Sequence, residues 1–279
     1  MGPILALTSA LFYGISDVTG GLLSRRVHFA VVAVIGQAGG LVFTVIAAAA
    51  VGTPEVPEPV DLAWGALSGV GTGVGMLFLF RGLARGAMSV VVPISAVCGI
   101  AVPVLLGVTV FGARPSASSW LGIVIALPAL WLVSRSSDRV GTMPSAAGVD
   151  GLVAGVGIAV HYVSLAQAGP ESGLWPVAAG RVAAIFTILP LLKTVRRPLR
   201  PPPLTVPAAG ATGAAAALAL IAYLLATREQ LASVAVVLSS LYPVVPVMLG
   251  ITVLRERLIP TQAVGLVAAG SAVALLASN

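Results

Sequence analysis

Asp17 is the first residue of this chain whose type and position point to chemistry. It lies in the apolar run 4–23 and is interpreted as the only acidic residue inside an apolar span. A carboxylate in such surroundings is costly, and it is by default a candidate proton or ligand site. The structural alternative is that Asp17 pairs with Arg25 or Arg26 at the end of the same run.

Arg181 is the corresponding basic candidate, and it lies in the apolar run 174–192. A guanidinium group binds carboxylates and phosphates through paired hydrogen bonds. Arg181 is therefore a candidate clamp for an anionic or carboxylate-bearing substrate. The alternative is a structural tie to backbone carbonyl groups or to Glu171.

Aromatic and small polar side chains form a third candidate group. His161 and Tyr162 are adjacent in one apolar run, while Tyr13 and Ser16 take comparable places in another. Together they are predicted to line a cavity near the middle of the molecule, with aromatic faces for stacking and polar tips for orientation. A lone histidine is alternatively a neutral, hydrogen-bonded core residue. Two histidines and one cysteine without ligand spacing predict no metal site, and no cofactor is predicted.

Two further segments combine small polar residues with prolines. Proline bends a helix and frees backbone carbonyl groups, which need partners or a wet cavity inside a membrane. These segments are therefore predicted to line a pathway, although the kinks alone could serve only to shape the bundle. The polar residues are Ser95, Cys98, Ser239 and Tyr242, and the predicted helix breaks are Pro93, Pro103, Pro243 and Pro246.

The composition identifies the elements that must position these residues. Only 9% of the residues are charged and 58% are hydrophobic, with a mean hydropathy of +1.07. Soluble proteins carry roughly 25% charged residues, so a soluble domain is excluded. Disorder is excluded by the apolar content, and a disulfide-stapled fold is excluded by the single cysteine. An all-α membrane protein with ten transmembrane helices is predicted. The apolar runs are 4–23, 30–51, 62–83, 88–111, 119–134, 148–168, 174–192, 204–226, 231–254 and 260–278.

An internal repeat divides the 279 residues into two halves. With a shift of 143 residues, the segment from Pro103 to Val110 aligns without a gap with the segment from Pro246 to Val253. The predicted repeats are 1–140 and 141–279, with five helices each. Because five is odd, the second repeat enters the membrane from the opposite side. Such inverted repeats are typical of secondary transporters that bind substrate between their halves.

The same residues resemble a known family. The run from Pro243 to Glu256, the aromatic–glycine pair Tyr13–Gly14 and the arginine at position 181 are similar to the EamA family of the drug/metabolite transporter superfamily. The resemblance implies a 5+5 helix bundle that exports or exchanges small metabolites without ATP. Ala113 stands in the first repeat where the second has Glu256, so any role of that acidic position applies only to the second half.

The basic residues predict an orientation. Twelve of the fifteen lie in loops on the face opposite the N-terminus, whereas Arg114 and Arg228 lie on the N-terminal face. By the positive-inside rule the twelve-residue face is cytoplasmic, which puts both termini outside. The family resemblance implies cytoplasmic termini for many relatives, and we follow the charge bias. The abundance of arginine over lysine favours a bacterial cytoplasmic membrane, and the net charge of +6 is attributed to topology, not to nucleic acid.

These observations predict a secondary transporter, in the exporting direction, for small organic metabolites. Its partners would be the substrate and the lipid bilayer. Proton coupling through Asp17 or His161, uniport, exchange and a homodimer are all left open. The competing classes are a non-transporting membrane scaffold and an intramembrane enzyme. The sequence holds no cluster of nucleophiles, bases or metal ligands for the latter, and no nucleotide-binding loop.

Overall fold

The fold, obtained as a computed structural model, is entirely helical over the residues described. These are 1–24, 26–52, 56–84, 88–133, 145–192, 201–245, 248–249 and 260–277. Within them lie ten α-helices and one 3₁₀ turn, Pro170–Ser172, and no strand. The helices are α1 Gly2–Ser24, α2 Phe29–Val51, α3 Pro59–Ala84, α4 Met88–Thr109, α5 Ala117–Val133, α6 Ser145–Leu165, α7 Trp175–Leu192, α8 Thr205–Glu229, α9 Ala232–Ser239 and α10 Pro260–Ala277.

Seven of the described helices are long and apolar enough to cross a membrane, namely α1, α2, α3, α6, α7, α8 and α10. A span needs about 20 apolar residues at 1.5 Å per residue. Large apolar side chains such as Ile46, Leu67, Phe186 and Val267 are exposed on the outside of the bundle. An apolar exterior of this kind suits lipid, so the chain is an integral, multi-pass membrane protein.

The ninth apolar run departs from the prediction of one continuous helix over 231–254. The helix α9 ends at Ser239, and residues 240–243 form a turn that ends at Pro243. The residue before a proline disfavours the helical conformation, and proline cannot donate a backbone hydrogen bond. Pro103 lies within α4 without ending it. Pro246 and the predicted repeat boundary at 140/141 lie outside the described residues.

Six helices surround the centre of the molecule. The helix α3 packs along α6 and α7, while α8 packs along α1 and α2. Glycines allow the closest approaches: a Cβ at Gly69 would overlap the carbonyl of Gly180, and one at Gly213 would overlap that of Gly36. Small residues allow helix backbones in membranes to come into contact in this way.

One expectation about the acidic residues is wrong. Because α6 begins at Ser145, Asp150 lies in its second turn, and its side chain is fully buried. Arg81 of α3 donates to Asp150 Oδ1 from Nε at 2.9 Å and from Nη2 at 2.5 Å. Asp17 is therefore not the only acidic residue inside a span. A buried carboxylate is tolerated here because the neighbouring helix supplies a cation.

Candidate functional site

A cavity of about 160 Å³ lies between α1, α2, α3, α6, α7 and α8. Its wall reaches from Ser24 and Phe29, at the α1–α2 connection, to Arg181 in α7 and Tyr242 beyond α9. Along this wall Asp17 is exposed, whereas His161 and Arg181 are buried. The cavity thus runs from an exposed end at the α1–α2 connection to a buried polar end inside the bundle.

All four tyrosines of the chain gather at the buried end. The ring of Tyr13 lies 6.5 Å from that of Tyr162 and 6.2 Å from that of Tyr242. Tyr223 packs behind Tyr162 at 4.7 Å and donates its hydroxyl hydrogen to the Tyr162 carbonyl at 2.9 Å. Edge-on and tilted aromatic pairs at these separations are attractive. They give the cavity an aromatic wall with polar tips, and the substrate-binding role predicted for Tyr13 and Tyr162 stays a prediction.

His161 connects three helices through its ring nitrogens. Tyr13 Oη lies 3.0 Å from Nε2, while Ser68 Oγ and Thr72 Oγ1 lie 2.8 and 3.0 Å from Nδ1. The Thr72 hydroxyl also donates to the Ser68 carbonyl at 3.1 Å, which links the two side chains beside Nδ1. His161 therefore holds Tyr13 at the cavity wall and is at the same time a hydrogen-bonded buried residue.

Arg181 has only part of its hydrogen-bonding capacity satisfied. Its side chain is 3% exposed, and Nη1 donates to Gln37 Oε1 at 2.8 Å. Nε and Nη2 have no hydrogen-bond partner among the described residues. The predicted alternative partner Glu171 is not bonded to it. The backbone carbonyls near Glu171 instead accept from Arg228, whose Nη2 lies 2.8 Å from the Gly173 oxygen.

Asp17 lines the cavity one helical turn beyond Tyr13. Neighbouring Ser16, also on the wall, donates to the Thr212 carbonyl at 3.1 Å and so ties α1 to α8. The ion pair found among the described residues joins Arg81 to Asp150 and does not involve Asp17. Arg25, one of the predicted partners of Asp17, lies outside the described residues.

Ser95, Cys98 and Ser239 do not line this cavity. Ser95 and Cys98 face Gly155 of α6, on the side where α4 packs against that helix. Ser239 is buried and donates to the Ala6 carbonyl at 3.3 Å. Tyr242 is the member of this predicted group that reaches the cavity wall. The pathway role of the other three residues stays a prediction.

Several site residues were not identified from the sequence. Gln37 and Thr72 line the cavity, while Ser68 and Tyr223 support its wall. The signal for Gln37 was present, because an amide in the middle of an apolar span needs a polar partner. The described residues contain no group of three or more histidine, cysteine or acidic side chains that could hold a metal ion.

Comparisons with known proteins show which family and which solved structure this chain is similar to. Residues 1–135 match the EamA-like transporter family. A solved crystal structure aligns with a TM-score of 0.81 over 99% of this chain and 98% of its own, at 15% sequence identity. At that identity the likeness concerns the fold alone. No curated protein matches the sequence.

Proposed function

Residues 1–135 belong to the EamA-like transporter family, and from this premise we propose that the protein is a secondary transporter that exports small organic metabolites. The observation that carries the proposal is the central cavity, which joins an exposed end to a buried polar end. Ligand sites combine apolar and aromatic walls with a few converging polar groups. The tyrosines, His161 and Arg181 supply that combination.

The second part of the proposal is that residues 1–140 and 141–279 are inverted repeats. Two features support it. The packing of α3 against α6 and α7 corresponds to that of α8 against α1 and α2 when each helix is exchanged for its counterpart five places along. The two tightest crossings also correspond, because Gly69 and Gly213, like Gly36 and Gly180, are 144 residues apart. That separation is within one residue of the sequence repeat.

Transport would occur by alternating access between the two repeats. In this conformation Asp17 is exposed on the cavity wall, whereas Tyr162, His161 and Arg181 at the far end are buried. A cavity with one exposed and one buried end supports this mechanism. The reverse state would open between α3 and the α6–α7 connection.

Export follows from the orientation that the basic residues favour. The exposed end of the cavity lies at the α1–α2 connection, on the face with most of the arginines. If that face is cytoplasmic, substrate enters from the cytoplasm of a bacterial cell. A C-terminal reporter that is active only in the cytoplasm tests this, since we expect it to be silent. Activity there would overturn the orientation and with it this support for export.

Proton coupling is proposed through Asp17, the carboxylate on the cavity wall. Asp17→Asn keeps the size of the side chain and removes its charge. We expect the substitution to abolish the dependence of transport on a pH gradient across reconstituted vesicles. Unchanged rates and an unchanged pH dependence would exclude the coupling role and leave uniport or exchange.

The test of the function is a comparison of metabolites in the medium of cells with and without the gene, followed by flux measurements in vesicles. Gly21 lies on the cavity wall with open space at its Cβ position, so Gly21→Trp is expected to block the cavity and stop export. Gly270→Trp is the matched control, because Gly270 is exposed, has equal space and lies outside the wall. Loss of flux in both variants, or product formation without flux, would contradict the proposal.

A further inference from the structure

The guanidinium of Arg181 presents one edge that no group of the described residues uses. Nη1 donates to Gln37 Oε1 at 2.8 Å, while Nε and Nη2 have no partner in the described part of the chain. These two nitrogens are the pair whose hydrogens point the same way along one side of the planar group. The unused donors therefore form the side-on edge that matches the two oxygens of a carboxylate.

Burial makes this unused edge informative. Arg181 is 3% exposed, and a buried donor without an acceptor loses its interaction with water without gaining another. The described residues place no carboxylate in an ion pair with it. Because Arg181 lines the cavity, the missing acceptor can be supplied by a molecule that enters there.

Two residues of α2 keep the guanidinium in this position. The Gln37 amide nitrogen contacts Met76 Sδ at 3.6 Å, which turns its oxygen toward Arg181 Nη1. Gly40 leaves room beside the group, since a Cβ there would lie 3.3 Å from both Cζ and Nε of Arg181. Gln37 is thus a positioning residue that holds one end of the guanidinium and leaves the side-on edge free.

We propose that the Nε/Nη2 edge of Arg181 binds the carboxylate group of the transported metabolite, so that the substrates are compact organic carboxylates. The inference rests on the proposed transport function, because it names the substrate class of the same cavity. The volume of about 160 Å³ is close to the roughly 150 Å³ of an engineered cavity that holds benzene. A carboxylate attached to a body of that size fits, with the aromatic wall around the body.

Binding to the purified full chain in lipid nanodiscs tests the proposal without transport. The probes are acetate, pyruvate, benzoate and phenylalanine, each beside the amide that replaces its carboxylate, together with inorganic phosphate. We expect at least one carboxylate to bind at least tenfold more tightly than its amide and than phosphate. If none of the acids does so, or if phosphate binds best, the proposal is overturned.

Substitutions test whether carboxylate binding depends on Arg181. Arg181→Lys keeps the charge but loses the paired edge, and we expect about a tenfold loss of affinity for the best carboxylate. Gln37→Glu preserves size and supplies an internal counter-charge, so it should weaken carboxylate binding without lowering the unfolding temperature. If Arg181→Lys does not fold, Gln37→Glu tests the proposal in its place. Arg228→Lys is the control, since Arg228 lies outside the cavity wall and should leave affinity unchanged.

The two proposals fail separately. Flux of a neutral metabolite that is unaffected by Arg181→Lys would keep the transporter and overturn the carboxylate site. Carboxylate binding that depends on Arg181 but produces no flux in vesicles would keep the site and overturn the transporter. Unchanged carboxylate affinity in both Arg181→Lys and Gln37→Glu would overturn the site.

Discussion

The two ends of the helix bundle are held together differently. At one end Asp61, 7% exposed in the first turn of α3, accepts from Ser172 Oγ at 2.5 Å and from the Gly169 amide at 2.9 Å. Arg228 of α8 donates to the Gly173 carbonyl of the same connection. At the other end, the hydrogen bonds found at the α1–α2 connection are local, as from Arg26 N to the Leu23 carbonyl at 3.0 Å.

The difference shows which end is sealed. Hydrogen bonds from α3 and α8 to the α6–α7 connection close the end near Asp61, whereas the α1–α2 end carries the exposed wall of the cavity and the Arg81–Asp150 ion pair between α3 and α6. The sequence repeat adds a chemical contrast, because a shift of 143 residues puts Leu204 in the place of Asp61 and Phe29 in the place of Ser172. We therefore expect the connection at the sealed end to be held by polar contacts and the α1–α2 connection by apolar ones, with the Arg81–Asp150 ion pair nearby.

The largest loss of folding stability is expected at the helix crossings Gly69–Gly180 and Gly213–Gly36, which lie between the two ends. Gly69→Val and Gly213→Val each place a side chain against the backbone of a neighbouring helix, which should cost about 3 kcal/mol or more of folding stability. Thermal unfolding of the purified variants measures this. Gly270→Val is the control, since nothing lies near its Cβ position. A loss in only one of the two crossing variants would break the correspondence between the repeats.

A smaller effect is expected from Asp61→Ala at the sealed end. The substitution leaves the Ser172 hydroxyl and the Gly169 amide without their acceptor, and charge-assisted bonds of this kind contribute about 2 kcal/mol. The unfolding temperature should fall and the cavity should become reachable from this end. Arg26→Ala at the other end is the control and should change neither property, because Arg26 is exposed. Equal effects of the two substitutions would contradict the contrast between the ends.

The two partners of the Arg81–Asp150 ion pair are expected to lose different amounts of folding stability when each is substituted. Arg81→Gln removes the cation beside a fully buried carboxylate, whereas Asp150→Asn leaves a guanidinium that is 47% exposed and can be solvated. We expect Arg81→Gln to cost about 1–2 kcal/mol and Asp150→Asn less, since exposed charges are screened by water. Unfolding of the two single variants and the double variant checks the order. The reverse order would show that Asp150 is held mainly by its other neighbours.

The smallest effect is expected from Tyr13→Phe. It removes the hydroxyl that lies 3.0 Å from His161 Nε2 and keeps the aromatic contacts, so the loss of stability should be about 1 kcal/mol. The substitution leaves both ends of the bundle unchanged. Any change in ligand affinity measured for this variant should then come only from the altered cavity wall. A loss as large as that of Asp61→Ala would mean that His161 also helps to hold the sealed end.

Local sequence patterns were sufficient to predict an all-helical membrane protein and most of its helices, but not the end of α9 at Ser239. Long apolar runs between prolines and charges predict transmembrane helices, because each helix satisfies its own backbone hydrogen bonds. Rare polar residues in such runs are noticeable, so the sequence alone indicates Tyr13, Asp17, His161 and Arg181 as candidates. The resemblance to the EamA family is confirmed over residues 1–135.

Only the tertiary structure decided which partners these residues have. Gln37 beside Arg181, Ser68 and Thr72 beside His161, and Arg81 beside Asp150 all come from different helices. Such pairs depend on how helices cross, and the crossings depend on contacts between glycine backbones far apart in the chain. Hydropathy along one helix contains no information about its neighbour's register. The sequence by itself therefore determined which side chains are unusual, and the packing of the bundle decided which edge of Arg181 is left free.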